Sequence, residues 1–274
     1  MTTKRVAVPG CMLAWSLLDL TPPWLEAPET IVLHHGIGAN QDIFAAWLPA
    51  LIHTHRILRF DMRGHGASER PEPSVAIDLD RLSDDLFAVM DAAGVQRAHL
   101  VGESIGGTIV LRAACRAPDR VQSVTVSNGA HVGASLQSVA GWQRMIRHEG
   151  MANWSAFMMR ARFHDNAIPD AAWRWFEAQQ ATACPDTVLR MLGALVGTDL
   201  TQSLPGLRPK LLLIHPDSSP FISLALMASL HELVPDSILH VIGHARHGLP
   251  FSHAAHCAGL LADFIRHNGS ETVH

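Results

Sequence analysis

The stretch Ala98-His99-Leu100-Val101-Gly102-Glu103-Ser104-Ile105-Gly106-Gly107 decides the fold of this chain. An apolar run leads into the pattern Gly-x-Ser-x-Gly, and a helix-compatible stretch, residues 108–117, follows it. An ordinary tight turn is the alternative, but the flanking strand-like and helix-like runs favour a nucleophile elbow. Residues two before and two after such a serine crowd the neighbouring backbone and therefore have to be small. The stretch predicts Ser104 as a nucleophile with an exposed hydroxyl.

Composition and length limit the remaining possibilities. The 274 residues are 48% hydrophobic and 17% charged, which is typical of a globular chain that buries a full core. The net charge of −4 and the lack of charge runs argue against nucleic-acid and membrane-surface partners. No apolar run reaches the length of a membrane span, and the N-terminus lacks the apolar segment of a signal peptide. We therefore expect a cytoplasmic protein.

Cysteine and histidine usage predicts no metal site and no cofactor. The 4 cysteines are scattered without a Cys-x-x-Cys pair, which favours free thiols over disulfides or a zinc site. The 18 histidines are mostly isolated or adjacent, and no His-Glu-x-x-His occurs. We interpret them as surface and supporting side chains.

The order of predicted elements indicates an α/β fold with a mostly parallel sheet. Apolar runs predict strands at residues 4–8, 12–18, 30–34, 55–60, 97–101, 121–127, 210–215 and 237–242, and helices at residues 41–52, 78–93 and 252–266. Between Asn128 and about Pro209 this alternation stops, and a Trp- and Met-rich segment predicts several amphipathic helices. We assign residues 1–130 and 208–274 to the core and residues 131–207 to a helical cap. The cap is either a subdomain with its own core or a lid over a pocket, and both can hold.

Three further motifs support a family resemblance. They are Leu33-His34-His35-Gly36-Ile37-Gly38, Asp61-Met62-Arg63-Gly64-His65-Gly66-Ala67-Ser68 and Ala245-Arg246-His247-Gly248-Leu249-Pro250. With the elbow and the element order, they make the chain resemble the α/β-hydrolase fold superfamily, with a helical cap after the sixth strand. Within it, the chain is most similar to the 3-oxoadipate enol-lactonase branch of small-molecule esterases and lactonases.

The resemblance implies roles for individual residues. Ser104 is the expected nucleophile, and His247 is the expected base because it follows the last strand and precedes the closing helix. His244, in the same loop, is the second candidate for the base. The backbone N–H groups of Ile37 and Ile105 are expected to form the oxyanion hole.

The acid that orients the base departs from the family pattern. The position expected for it, after the seventh strand, holds Ser219. The carboxylate available in that loop is Asp217, which we take as the candidate because a carboxylate best stabilises an imidazolium. The alternatives are a neutral group, Asn128 or Ser219, or a degenerate triad. Asp217 can also be a loop aspartate that caps the following helix.

The leading functional hypothesis is a serine hydrolase that cleaves an ester or lactone of a small organic acid without metal or cofactor. Hydrolysis of a carbon–carbon bond in a vinylogous diketone uses the same constellation, and a hydrolase-fold binding protein with little turnover is the third hypothesis. Aspartate-dependent chemistries such as dehalogenation are disfavoured by Ser104. We expect a small-molecule substrate and leave a homodimer open. Arginines in or near the cap are candidates to bind a substrate carboxylate: Arg144, Arg147, Arg160, Arg162 and Arg174.

Overall fold

A central sheet carries the fold. The computed structural model describes residues 3–269, in which the strands are β1 (Lys4–Val8), β2 (Cys11–Leu18), β3 (Thr30–His34), β4 (Arg56–Phe60), β5 (Ala98–Glu103), β6 (Val121–Ser127), β7 (Lys210–Pro216) and β8 (Ile238–Ile242). Their order is β1-β2-β4-β3-β5-β6-β7-β8. β3 to β8 run parallel, whereas β1 and β2 are antiparallel to their neighbours. The predicted, mostly parallel sheet is confirmed.

Helices cover both faces of the sheet. They are α1 (Leu48–Leu51), α2 (Leu79–Ala92), α3 (Ile105–Arg116), α4 (Val139–Arg162), α5 (Asp170–Thr182), α6 (Pro185–Val196), α7 (Leu224–Leu233), α8 (Leu249–Ser252) and α9 (Ala254–Gly269). One apolar cluster joins the sheet to α2, α3 and α7, and a second joins it to α1 and α9. No helix within residues 3–269 is both long and apolar enough to traverse a bilayer.

The helix expected over residues 41–52 is divided. A 3₁₀ helix spans Gln41–Trp47, and the single-turn α1 follows it. The physical reason is Pro49, which has no N–H to donate to the carbonyl group of Ala45, so one regular α-helix cannot run through this segment.

The segment between β6 and β7 is helical, as its composition predicts. α4, α5 and α6 lie there, and α4 is interrupted at Gly150, whose φ of 84° and ψ of 172° are not helical. Trp154 and Met158 of α4 are buried in the same apolar cluster as the sheet and α3. These helices therefore pack directly on the core, over the carboxyl ends of the parallel strands. The boundaries of a separate cap, residues 131–207, stay a prediction.

Candidate active site

Ser104 lies on the turn between β5 and α3, with φ of 56° and ψ of −122°. A positive φ is costly for a residue with a side chain and persists only where the surroundings impose it. Gly102 and Gly106 allow the turn to close, because a Cβ on Gly102 would overlap the carbonyl oxygen of Gly106. A Cβ on Gly106 would lie 2.5 Å from the carbonyl oxygen of His34. The strand–turn–helix geometry expected of the motif is present.

His247 lies beside Ser104, in the loop between β8 and α8. Its Nε2 is 3.2 Å from Ser104 Oγ, and the residue is 3% exposed. With the proton on Nδ1, the Ser104 hydroxyl donates to Nε2, which is the contact that a general base needs. His244, the second candidate, is exposed, and its ring stacks on the ring of His164 with centroids 4.6 Å apart. The structure thus brings His247 to the serine and leaves His244 at the surface.

Burial also sets the electrostatics of His247. Its pKa is held well below the usual value of histidine, chiefly by burial and further by the positive charge of Arg162. The imidazole is therefore neutral at neutral pH and able to accept a proton.

The structure contradicts the expectation that Asp217 orients His247. The Asp217 side chain is exposed, and its two carboxylate oxygens accept the backbone N–H groups of His244, at 2.8 Å, and Ala245, at 3.1 Å. In this position the carboxylate accepts two backbone N–H groups that would otherwise lack a partner, whereas the imidazole offers a single N–H. The Asp217 side chain therefore stabilises the loop that carries His247 by binding the backbone of that loop.

Neutral groups occupy the positions where an orienting acid is expected. Ser219 Oγ lies 3.4 Å from Nδ1 of His247, a long and weak hydrogen bond. Asn128, after β6, donates its Nδ2–H to the carbonyl oxygen of His247 at 2.7 Å instead of contacting the ring. Of the alternatives left open by the sequence, the geometry favours Ser219 as the partner of the imidazole and Asn128 as a support of its backbone.

The two predicted oxyanion donors lie at backbone positions with free N–H groups. Ile105 is the first residue of α3, where amides have no partner inside the helix. Ile37 lies in the turn after β3, and within residues 3–269 neither amide meets an acceptor. The Ile37 turn is held by Gly38, which donates its N–H to Nε2 of His65 at 3.0 Å. Burial lowers the pKa of His65 to about 4, so its ring stays neutral and can accept this hydrogen bond.

A buried ion pair adjoins the serine and the histidine. Nη1 of Arg162, at the end of α4, is 3.4 Å from Oε1 of Glu103, and both side chains are 3% exposed. The same carboxylate oxygen is 4.0 Å from Nε2 of His247. Burial raises the pKa of Glu103 above its usual value, against the lowering effect of Arg162.

Arg162 connects three parts of the site. Besides Glu103 in the elbow, its Nη2 donates to the carbonyl oxygen of Ile37 at 3.2 Å. Its own carbonyl oxygen accepts the N–H of Gly248, next to His247, at 2.9 Å. The sequence alone indicates Arg162 only as one of five arginines near the cap and favours a supporting or surface role for Glu103 over a contact with the pocket. A charged residue at the end of the buried strand β5 was the available signal, since a buried carboxylate requires a partner.

An apolar cavity lies above Ser104. Its volume is about 30 Å³, because its lining side chains pack closely together. Its polar lining comes chiefly from Ser104, His247 and Arg162, and its apolar lining from Ile37, Ile105, Ala130, Leu136, Trp142, Trp154, Met158, Leu192, Leu195, Phe221 and Ile222. α4 and α6 supply much of that apolar surface, which encloses the reactive pair away from bulk water.

Comparison with known proteins identifies the family. The model of the α/β hydrolase fold family matches residues 29–254. The chain belongs to the α/β hydrolase fold family. The matched span contains the elbow at Ser104, the turn at Ile37 and the loop that carries His247. The chain is therefore an α/β-hydrolase enzyme.

Curated relatives cover most of the chain. A 2-hydroxymuconate semialdehyde hydrolase from Pseudomonas sp. (strain CF600) is 28% identical over 86% of this chain and 86% of its own length. A 2-hydroxy-6-oxo-2,4-heptadienoate hydrolase from Pseudomonas putida is 27% identical over 87% of this chain and 90% of its own. Both are named as hydrolases.

Solved structures match over nearly the full length. A hydrolase from Pseudomonas aeruginosa superposes with a TM-score of 0.85 at 25% identity, covering 96% of this chain and 98% of that one. The enol-lactonase from Burkholderia xenovorans gives a TM-score of 0.87 at 23% identity and covers 96% of this chain and 100% of that one. The likeness to the enol-lactonase shows that the two chains share a fold.

Proposed function

We propose that this enzyme is a serine hydrolase that cleaves a carboxylic ester or lactone of a small organic acid through an acyl-enzyme on Ser104. The observation that carries the proposal is the 3.2 Å contact between Ser104 Oγ and Nε2 of a buried, neutral His247 at an apolar cavity. A nucleophile, its base and two free backbone donors meet there, which is the minimum set for acyl transfer.

The first half of the reaction forms the acyl-enzyme. Ser104 Oγ attacks the carbonyl carbon while His247 Nε2 takes the hydroxyl proton. The N–H groups of Ile37 and Ile105 stabilise the negative charge that develops on the carbonyl oxygen. The carbon–oxygen bond to the leaving group then breaks, and His247 donates its proton to the departing alkoxide oxygen. In a lactone that oxygen remains tethered to the acyl group.

The second half returns the free enzyme. A water molecule attacks the acyl carbon as His247 Nε2 takes one of its protons. The bond between Ser104 Oγ and the acyl carbon breaks, and the proton passes to Oγ. The product is a carboxylic acid, and no metal or redox cofactor takes part in any step.

The cavity suggests the substrate class. Its lining is mostly apolar and favours a compact, partly hydrophobic acyl group. Arg162 is the charged side chain on this lining and is a candidate to contact a substrate carboxylate.

Two wider features are part of the proposal. Residues 131–207 act as the cap that encloses the substrate, as the burial of Trp154 and Met158 above the site supports. The enzyme works in the cytoplasm on a free small molecule, which its free cysteines support.

Carbon–carbon bond hydrolysis is the second candidate. The relatives named for 2-hydroxymuconate semialdehyde and 2-hydroxy-6-oxo-2,4-heptadienoate favour it, as does an arginine beside the serine for the carboxylate of such an acid. A hydrolase-fold protein that binds a ligand without turning it over is supported by one feature, the neutral Ser219 at the orienting position.

A substrate panel separates these candidates. Purified protein is assayed with p-nitrophenyl esters of increasing acyl length, with simple lactones, and with a vinylogous 1,5-diketone acid. We expect the wild type to hydrolyse short esters or lactones. Ser104→Ala should lower the rate of this hydrolysis by about 10⁴-fold or more. Turnover of the diketone alone would select the second candidate.

Ser74→Ala is the matched control, because Ser74 is an exposed loop serine. Its activity should equal that of the wild type. Equal turnover by Ser104→Ala and the wild type would remove Ser104 from the mechanism. Saturable binding of these compounds without any product would favour the binding protein.

A further inference from the structure

Three potential metal ligands meet at the edge of the sheet opposite Ser104. Glu29 directly precedes β3, His55 directly precedes β4, and His99 is the second residue of β5. β3 lies between β4 and β5 in the sheet, and the three strands are parallel. Their amino ends therefore bring these side chains together, whereas Ser104 follows the carboxyl end of β5.

The distances are close to those of a coordination site. One ligand atom from each of the three residues lies within 4.8 Å of the other two. Glu29 Oε2 is 3.2 Å from Nε2 of His99, and the rings of His55 and His99 meet edge to face with centroids 5.8 Å apart. In a tetrahedral zinc site with bonds of about 2.0–2.1 Å, ligand atoms lie roughly 3.3 Å apart. Shifts of about 1.5 Å or less therefore bring the three ligand atoms to this spacing.

Hydroxyl groups hold both imidazoles with one nitrogen available. Nδ1 of His99 is 2.8 Å from Ser123 Oγ, and Nδ1 of His55 is 2.8 Å from Thr54 Oγ1. The Thr54 hydroxyl donates to the carbonyl oxygen of Leu51 and so accepts Nδ1–H of His55, which leaves the lone pair on Nε2 of that ring. Without an ion, Nε2–H of His99 donates to Glu29; an ion at this nitrogen requires the tautomer with the proton on Nδ1, which Ser123 Oγ is placed to accept. Histidines that bind metals are commonly oriented in this way through their other nitrogen.

The carboxylate is oriented as well. Gln122 of β6 donates its Nε2–H to Oε1 of Glu29, which leaves Oε2 directed at His99. The backbone beneath is rigid, since the N–H of Arg56 donates to the carbonyl oxygen of Glu29 at 2.9 Å. A site built on adjacent strands keeps its ligands in register better than one built on loops.

We propose that Glu29, His55 and His99 bind one divalent transition-metal ion, of which Zn²⁺ fits the donor set best. Two imidazole nitrogens and one carboxylate oxygen suit a borderline cation, and water completes the coordination at the exposed side of the site. The ion ties together the amino ends of three central strands. It lies at the edge of the sheet away from Ser104 and takes no part in the hydrolysis.

Sequence spacing could not reveal this cluster. Its ligands come from three separate strand starts, so no short motif of the His-Glu-x-x-His kind connects them. The competing interpretation is a metal-free ion pair between Glu29 and His99, and it is one outcome of the test below.

The test is metal binding by tag-free protein that has first been stripped with a chelator. Isothermal titration with Zn²⁺ and the visible absorption of the Co²⁺ complex both report binding without reference to hydrolysis. We expect one equivalent to bind the wild type and to raise its Tm, because an ion that binds only the native state stabilises it. Glu29→Gln and His55→Gln should each weaken binding by about tenfold or more.

His53→Gln is the matched control, because His53 is an exposed histidine in the same turn as His55. It should bind zinc as the wild type does. The proposal is overturned if the wild type binds no zinc, which leaves the ion pair as the explanation. It is also overturned if Glu29→Gln and His55→Gln bind as tightly as the wild type, which would place the ion elsewhere.

Discussion

Replacing Ser219 with aspartate should accelerate the reaction. Ser219 Oγ is 3.4 Å from Nδ1 of His247, so Ser219→Asp puts a carboxylate where the imidazole now meets a neutral hydroxyl. A unit charge pair at 3.4 Å is worth about 5 kcal/mol at an effective dielectric constant of about 20. Desolvation of the half-buried carboxylate offsets roughly half of that gain. The net gain of about 2.5 kcal/mol corresponds to an increase of about 70-fold in kcat.

The pH profile gives an independent readout of the same change. In the wild type the pKa of His247 is depressed, so the base stays deprotonated and the acid limb of kcat/KM lies well below pH 6.5. A carboxylate at position 219 favours the imidazolium and raises this pKa. The acid limb of Ser219→Asp should therefore move to higher pH while the plateau rises.

The assay is hydrolysis of one p-nitrophenyl ester from pH 4 to 9 by the wild type, Ser219→Asp and Ser219→Asn. Asparagine has nearly the shape of aspartate without its charge, so it separates electrostatics from packing. Equal rates and equal acid limbs for the two variants would refute the reasoning. An acid limb of the wild type near pH 6.5 would refute the environment assigned to His247.

Three further outcomes follow from the same geometry. Asp217→Asn should change kcat by less than about threefold, because its carboxylate serves loop amides; a loss near the 10⁴-fold expected of a triad acid would contradict this. Arg162→Met leaves Glu103 buried without a partner and should lower the free energy of unfolding in urea by about 3–5 kcal/mol. Adding Glu103→Gln to that variant should restore most of the loss. Burial depresses the pKa of His65 to about 4, so the unfolded chain binds more protons below pH 6.5 and stability falls as the pH drops from 6.5 towards 4. His65→Gln should flatten this slope, by up to about 1.4 kcal/mol per pH unit, in urea titrations from pH 4 to 7.

The framework of the fold was predictable because it depends on local patterns. β3 and β6 begin and end where the apolar runs of the sequence do. α2 is preceded by Asp78, whose side chain accepts the N–H of Arg81, and aspartate is among the residues that favour this N-cap position. The Gly-x-Ser-x-Gly pattern predicts the geometry of its turn, because only glycine fits at the two positions beside Ser104 where backbone segments lie in close contact.

The orienting partner of the histidine depends on contacts that sequence does not encode locally. Asp217 and Ser219 stand two residues apart in one loop, and only the fold decides which of them faces His247. The unpaired amides of the loop between β8 and α8 attract the Asp217 carboxylate. The acid nearest to the expected position in the sequence, Asp217, therefore stabilises the loop instead of the imidazole.

The ion pair of Glu103 and Arg162 escaped prediction for a similar reason. The two residues are far apart in the chain. Arg162 is the last residue of α4, whose helical backbone is interrupted at Gly150, and it lies beside the elbow. Glu103 fills a variable position of the Gly-x-Ser-x-Gly motif and Arg162 belongs to no motif, so composition alone could not single out Arg162 from the other arginines of the segment.

The central claim is that Ser104 is a nucleophile activated by His247, and labelling with a fluorophosphonate probe tests it most directly. The probe forms a covalent bond with an activated serine hydroxyl, whatever the natural substrate. We predict rapid labelling of the wild type and of Ser74→Ala, and its loss in Ser104→Ala and His247→Ala. A folded wild type that resists the probe, or labelling that survives in Ser104→Ala, would contradict the account.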